Sequence, residues 1–119
     1  SVQEQALIQY EQAVLRALED VENALIAHAF SRQRSQALSE STVAAESAAQ
    51  QSRELYQSGL VDFEQVLITE RSQLNAQESF AQSKATQLVT LIQLYKALGG
   101  GWQDTAVMTA SSTKDTPLP

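Results

Sequence analysis

Apolar side chains in the first half of the chain fall on one helical stripe. Leu7, Val14, Val21 and His28 recur every seven residues, and Tyr10, Leu18 and Leu25 join them on the same side. That is the spacing of a helix that faces a partner helix. No proline or glycine interrupts residues 2–57, so the pattern predicts a single helix of about 80 Å at 1.5 Å per residue. Past Leu38 the stripe turns small, with Ala44, Ala45, Ser47, Ala48, Ala49 and Ser52. Such residues suit close helix–helix approach but bury little apolar area each. In the second half Leu60, Leu67, Leu74, Ala81, Leu88 and Tyr95 stand at strict seven-residue intervals, with Phe63, Leu91 and Leu98 beside them. This row predicts a second helix over about 63–98, supercoiled left-handedly on the first. At about 54 Å it is the shorter of the two. Roughly the first 20 residues of helix one, Leu7, Val14 and Leu18 among them, are therefore expected to keep an uncovered apolar stripe, which marks a missing partner.

The only sharp stop-and-restart signal lies between the two rows, in residues 58–62. Gly59 suits the left-handed position just past a helix ending near Gln57, with Leu60 reaching back to Leu55 in the apolar contact that goes with such a cap. Asp62 is a good N-cap, Gln65 stands where a capping box places its second member, and Val61 and Val66 have the spacing of a hydrophobic staple. So short a loop makes the helices antiparallel. The predicted fold class is all-α, a long antiparallel helical hairpin. Gly99–Gly101 reads as a glycine-rich stop closing a hairpin domain over 1–102, and the Thr/Ser/Ala-rich stretch 103–119 reads as a flexible tail.

Composition narrows the function without defining it. Four glycines and two prolines in 119 residues, with 43% apolar residues, describe a helix-former with a modest core. A net charge of −6 argues against a nucleic-acid partner, which attracts basic surfaces. Zero cysteines exclude disulfides and thiolate metal sites. No segment approaches the roughly 18 uncharged apolar residues of a spanning helix, and none has the alternating pattern of membrane strands.

Site chemistry is sparse. His28 is the only histidine and reads as a packed or hydrogen-bonded interface residue, since a metal site needs companions. Glu19, Asp20 and Glu22 read as a solvated face, because no chelating loop accompanies them. No nucleophile–base set and no phosphate-cradling loop is present. The expectation is a protein that is not an enzyme and uses no metal or cofactor.

Two motifs carry a family resemblance. The tip, Leu55-Tyr56-Gln57-Ser58-Gly59-Leu60-Val61-Asp62-Phe63-Glu64-Gln65-Val66-Leu67-Ile68-Thr69-Glu70-Arg71, resembles the periplasmic hairpin tip of the TolC/OprM outer-membrane efflux family. The run Leu94-Tyr95-Lys96-Ala97-Leu98-Gly99-Gly100-Gly101-Trp102 resembles the end of the last long helix in its OprM-like, multidrug-efflux branch. Upstream, Tyr10 to Leu25 is similar to that family's descending helix, so the likeness is colinear over roughly 2–102.

The resemblance implies a periplasmic fragment of a trimeric outer-membrane channel: the second half's helical hairpin, without the β-barrel part that enters the membrane. It implies a passive conduit in a tripartite drug-efflux or export system, docked to a periplasmic adaptor and through it to an inner-membrane pump. By this likeness Gly59, Leu60, Val61 and Asp62 are the adaptor-contact tip, and Glu64, Gln65, Ile68 and Arg71 are candidates for the aperture. Relatives narrow the mouth with acidic side chains just past the tip, and in the OprM-like branch an arginine one turn later helps hold it closed. Arg71 matches that arginine, but Ile68 occupies the acidic place and Gln65 the other position that TolC-like members use. Glu70 lies about 100° around the helix from Arg71, while Glu64, seven residues back, shares its face. The competing expectation is a free-standing coiled-coil scaffold that binds helical partners. Either way the isolated chain is expected to self-associate into dimers or bundles.

Overall fold

A computed structural model describes the backbone of residues 1–114 and the side chains of residues 1–100. Two helices account for it: α1, Val2–Gln57, and α2, Phe63–Lys114, joined by residues 58–62 into a hairpin. Among the described residues there is no strand, and no helix is long and apolar enough to cross a membrane. The chain forms two compact units, Ala29–Val89 and Ser1–His28 with Thr90–Pro119.

In the Ala29–Val89 unit the helices meet along a seam of small and hydroxylated side chains. Ser31, Ser35, Thr42, Ala49 and Ser52 of α1 are buried there, as are Val66 and Ser83 of α2. Half-buried Thr69, Gln73, Ala76, Phe80 and Gln87 of α2 alternate with them at spacings of three and four. That is the repeat of two helices in continuous contact. Only Ala49, fully buried, and Val66, 3% exposed, are buried apolar residues, so the transfer of hydrocarbon from water stabilises this seam modestly.

The hydroxyls in the seam would be costly there without partners. Backbone carbonyls supply them. Thr42 Oγ1 lies 2.9 Å from the Leu38 carbonyl oxygen in its own helix and 3.3 Å from the Ala76 oxygen across the seam. The Ser83 hydroxyl donates to the Phe80 oxygen at 2.7 Å. Thr69 Oγ1 is within 3.1 Å of both the Gln65 and Val66 oxygens. No buried side-chain polar atom among the described residues lacks a partner.

In the unit of Ser1–His28 and Thr90–Pro119, the half-buried residues of α1 are Ala17, Val21, Ala24 and His28, and those of α2 include Thr90, Leu91, Leu94 and Ala97. His28 Nδ1 and Thr90 Oγ1 are hydrogen-bonded at 3.1 Å. The histidine is thus a polar member of the helix contact.

The structure corrects the sequence reading in three places. The seven-spaced row of α2 does not face α1: Leu60, Leu67, Leu74, Leu88 and Tyr95 are each more than half exposed, and Ala81 is exposed with them. The seam belongs to the neighbouring rows through Val66 and Thr69, where Val66, Thr69, Ala76 and Ser83 match the Ser/Ala/Thr face of α1 and Gln73, Phe80 and Gln87 are only half-buried. On α1, Val21 and His28 enter the helix contact, but Leu18 and Leu25 stay outside.

The glycine stop also fails. The backbone of α2 continues through Gly99–Gly101 to Lys114, and among the described residues only Gly59 has a positive φ. Each interior glycine costs roughly 1 kcal/mol relative to alanine, yet a break would forfeit a helix already nucleated. The stretch expected as a tail therefore enters α2 as far as Lys114, while 115–119 lie outside the described residues. With 52 residues in α2 against 56 in α1, the expected length mismatch disappears. Leu7, Val14, Leu18 and Leu25 remain exposed all the same.

Ala49 tests the seam. Because its methyl group is fully buried between the helices, Ala49→Leu should destabilise the hairpin by about 1–3 kcal/mol through overpacking. Chemical denaturation followed by circular dichroism reads this as a lowered midpoint, and an unchanged midpoint would contradict the packing described.

Candidate functional site

The tip begins where α1 runs out of hydrogen-bonding partners. Gly59 adopts φ +76°, which an L side chain resists and glycine accepts. This lets the Gly59 amide donate to the Tyr56 carbonyl oxygen at 3.0 Å and the Leu60 amide to the Leu55 oxygen at 2.9 Å. The pair of bonds is the Schellman closure of a helix C-terminus. Leu60, 72% exposed, is left projecting from the turn, and Val61 beside it in sequence is half-buried.

α2 restarts at once. The Gln65 amide donates to the backbone carbonyl of Asp62 at 3.0 Å, so a tight first turn uses the amide that the Asp62 carboxylate was expected to cap.

Two contacts that the sequence reading missed hold the tip shut. The rings of Tyr56 and Phe63 tilt against each other with centroids 5.3 Å apart, within the range of favourable aromatic pairs. Farther from the turn, Arg53 Nη1 meets Glu70 Oε1 at 3.2 Å. Each partner is nearly half exposed, so the pair contributes at most about 1 kcal/mol. The ring pair was in principle findable: once the turn is centred near Gly59, Tyr56 and Phe63 fall on facing positions, whereas Arg53 and Glu70 lie off that register and meet through their long side chains. The ion pair also engages Glu70, one of the acidic groups close to Arg71.

All eight candidate residues line two adjoining open concavities. Gly59, Leu60, Val61, Asp62, Glu64, Gln65 and Ile68 border the first. Glu64, Ile68 and Arg71 recur in the second with Leu67, Ser72 and Asn75. Glu64, Ile68 and Arg71 stand four and then three residues apart, on one face of α2. All three are exposed, and among the described residues neither Glu64 nor Arg71 has an ion-pair partner. No group of three or more histidine, cysteine or carboxylate side chains among the described residues is placed to hold a metal. The arrangement presents an apolar projection at the turn and, just beyond it, an isoleucine flanked by an acid and a base. It suits contact with other polypeptide.

The left-handed glycine supports a direct test. Gly59→Val should destabilise the hairpin by about 1 kcal/mol or more. A thermal melt of the variant that matches the parent would show that the turn does not depend on this conformation.

Known proteins place the chain. The family of outer membrane efflux proteins matches residues 2–100. The chain is 33% identical over 101 residues to the cation efflux system protein CusC of Escherichia coli O6:H1, covering 85% of this chain and 22% of that protein. It is 39% identical over 105 residues to the pyoverdine export outer membrane protein OpmQ of Pseudomonas putida, with coverage of 85% and 22%. The probable outer membrane lipoprotein SilC of Salmonella typhimurium is 32% identical over 100 residues, with coverage of 84% and 22%. No solved structure matches. The chain spans about a fifth of the length of these relatives, and a match that runs through both helices and the tip between them shows that it belongs to the outer membrane efflux protein family.

Proposed function

We propose that this chain is a stretch of tunnel wall in an outer-membrane efflux channel: a passive conduit that does no chemistry on its cargo and lies in the periplasm, with the membrane-inserted β-barrel encoded elsewhere in the full protein. The observation that carries the reading is the inversion of side-chain size. Small and hydroxylated residues fill the contact inside the hairpin, whereas Leu67, Leu74, Leu88 and Tyr95 of α2 and Leu15, Ile26 and Phe30 of α1 face outward. Apolar rows this regular call for helices packed on both flanks. A closed ring of helical hairpins supplies them, with three copies of the full protein as the assembly. The names of the relatives point to different cargo, cations for one and pyoverdine for another, as suits a wall that only encloses what passes.

In this reading the tip turn Gly59–Asp62 docks to a periplasmic adaptor, which links the channel to an inner-membrane pump. Exposed Leu60 is the main contact, because it is the large apolar side chain that the turn leaves projecting. Leu60→Asp and Val61→Asp in the full-length channel should abolish efflux while trimer assembly and membrane insertion persist. Loss of the trimer in these variants would instead assign the residues to local packing.

The aperture follows from symmetry. Parallel copies around an axis bring identical residues to one height, so Ile68 side chains meet Ile68 side chains and form an apolar constriction that resists ions by dewetting. Arg71 then pairs with an acidic group outside this chain, since Glu70 is engaged by Arg53. Single-channel recording of the full-length trimer separates the contributions. Ile68→Ser should raise resting conductance, and no change would dispose of the apolar gate. Arg71→Ser should raise it in a salt-dependent way if an ionic contact also holds the mouth.

A further inference from the structure

The two sides of the Ala29–Val89 unit differ in charge. On one, Arg32, Glu46 and Arg53 of α1 stand fourteen and then seven residues apart in one row, and Glu70 and Lys84 of α2 stand fourteen apart in another, with Arg53 and Glu70 paired. The other carries Arg34, Ser41 and Ala48 of α1 and Ser72, Ser79 and Thr86 of α2, again seven residues apart. Arg34 is the single charge in those two rows.

At its level the helices part into a notch of ≈ 210 Å³ lined by Ser31, Arg34, Ser79, Gln82, Ser83 and Thr86. No carboxylate and no large apolar side chain borders it. Ser31 and Ser83, each more than nine-tenths buried, form its floor. The Ser83 hydroxyl already donates to the Phe80 oxygen, so the donors available to a guest are the Arg34 guanidinium, the Gln82 amide and the hydroxyls of Ser79 and Thr86. Arg34 has no ion-pair partner among the described residues.

One delocalised cation beside neutral donors, with no carboxylate in the lining, matches an oxyanion: a carboxylate or a phosphate, held by paired charge-assisted hydrogen bonds. The volume suits such a head group rather than a whole larger solute. General electrostatic attraction is not the source, because the chain carries a net charge of −6 and its overall field repels anions.

We propose that the Arg34 notch binds the oxyanion group of a small solute. The site stands on the geometry of the hairpin alone and holds whether or not the chain lines a tunnel.

Arginine side-chain and amide NMR of the chain, titrated at constant ionic strength with sodium acetate and separately with sodium phosphate, tests it. The expected result is a saturable displacement of the Arg34 Nε–H signal together with the amides of residues 79–86. Arg34→Gln should weaken binding about tenfold or more, Thr86→Val should weaken it less, and Arg32→Gln should leave it intact. Equal, non-saturating shifts at Arg16, Arg32, Arg34, Arg53 and Arg71 would overturn the proposal, as would undiminished binding in Arg34→Gln. An Arg34 signal that follows protein concentration rather than added anion would also overturn it, by naming a carboxylate of a second copy as the occupant.

Discussion

The hairpin depends on how closely two helix backbones approach when the side chains between them are serine, threonine and alanine. Ala49 and Val66 are the only buried apolar residues among those described, so dispersion at short range and hydrogen bonds to backbone carbonyls do what a leucine core does elsewhere. Everything else about the surface follows. With the seam taken by small residues, the leucines, isoleucines and aromatics occupy the remaining faces of each helix, and the molecule presents to its surroundings the side chains that most proteins hide.

The helical class and the turn were legible because their signals are local. Long runs without glycine or proline have one reading, and Gly59 followed by Asp62 and Gln65 places the reversal within a few residues. The pairing face was not legible, for a definite reason. A seven-residue period is shared by every row of a coiled helix, and choosing among rows by apolarity assumes that the most apolar one meets the nearest partner. Here Leu67, Leu74, Leu88 and Tyr95 are exposed, and the row through Val66 and Phe80, less apolar by composition, is the internal one. Gly99–Gly101 misled for a related reason: glycine permits a stop without imposing one.

At the tip the legible and the illegible divide along another line. Capping positions are read in sequence order and came through for Gly59. A cross-hairpin pair such as Tyr56 with Phe63 requires knowing which positions face each other, which follows only after the turn is centred, and Arg53 with Glu70 lies off that register even then. The candidate residues Glu64, Ile68 and Arg71 were picked out by resemblance rather than by local signal. What the structure adds is that one face of α2 exposes all three, side by side.

Three hydroxyls of the seam bond within their own helix: Thr42 to Leu38, Thr69 to Gln65 and Val66, Ser83 to Phe80. Between the helices of the Ala29–Val89 unit, Thr42 bonds to the Ala76 carbonyl and Arg53 to Glu70. A pair of helices so arranged resists separation, through close contact along its length, far more than it resists shear. Axial slippage of one helix on the other exchanges one small side chain for another of like size. Compliance of that kind lets a wall change its curvature while each strut stays whole.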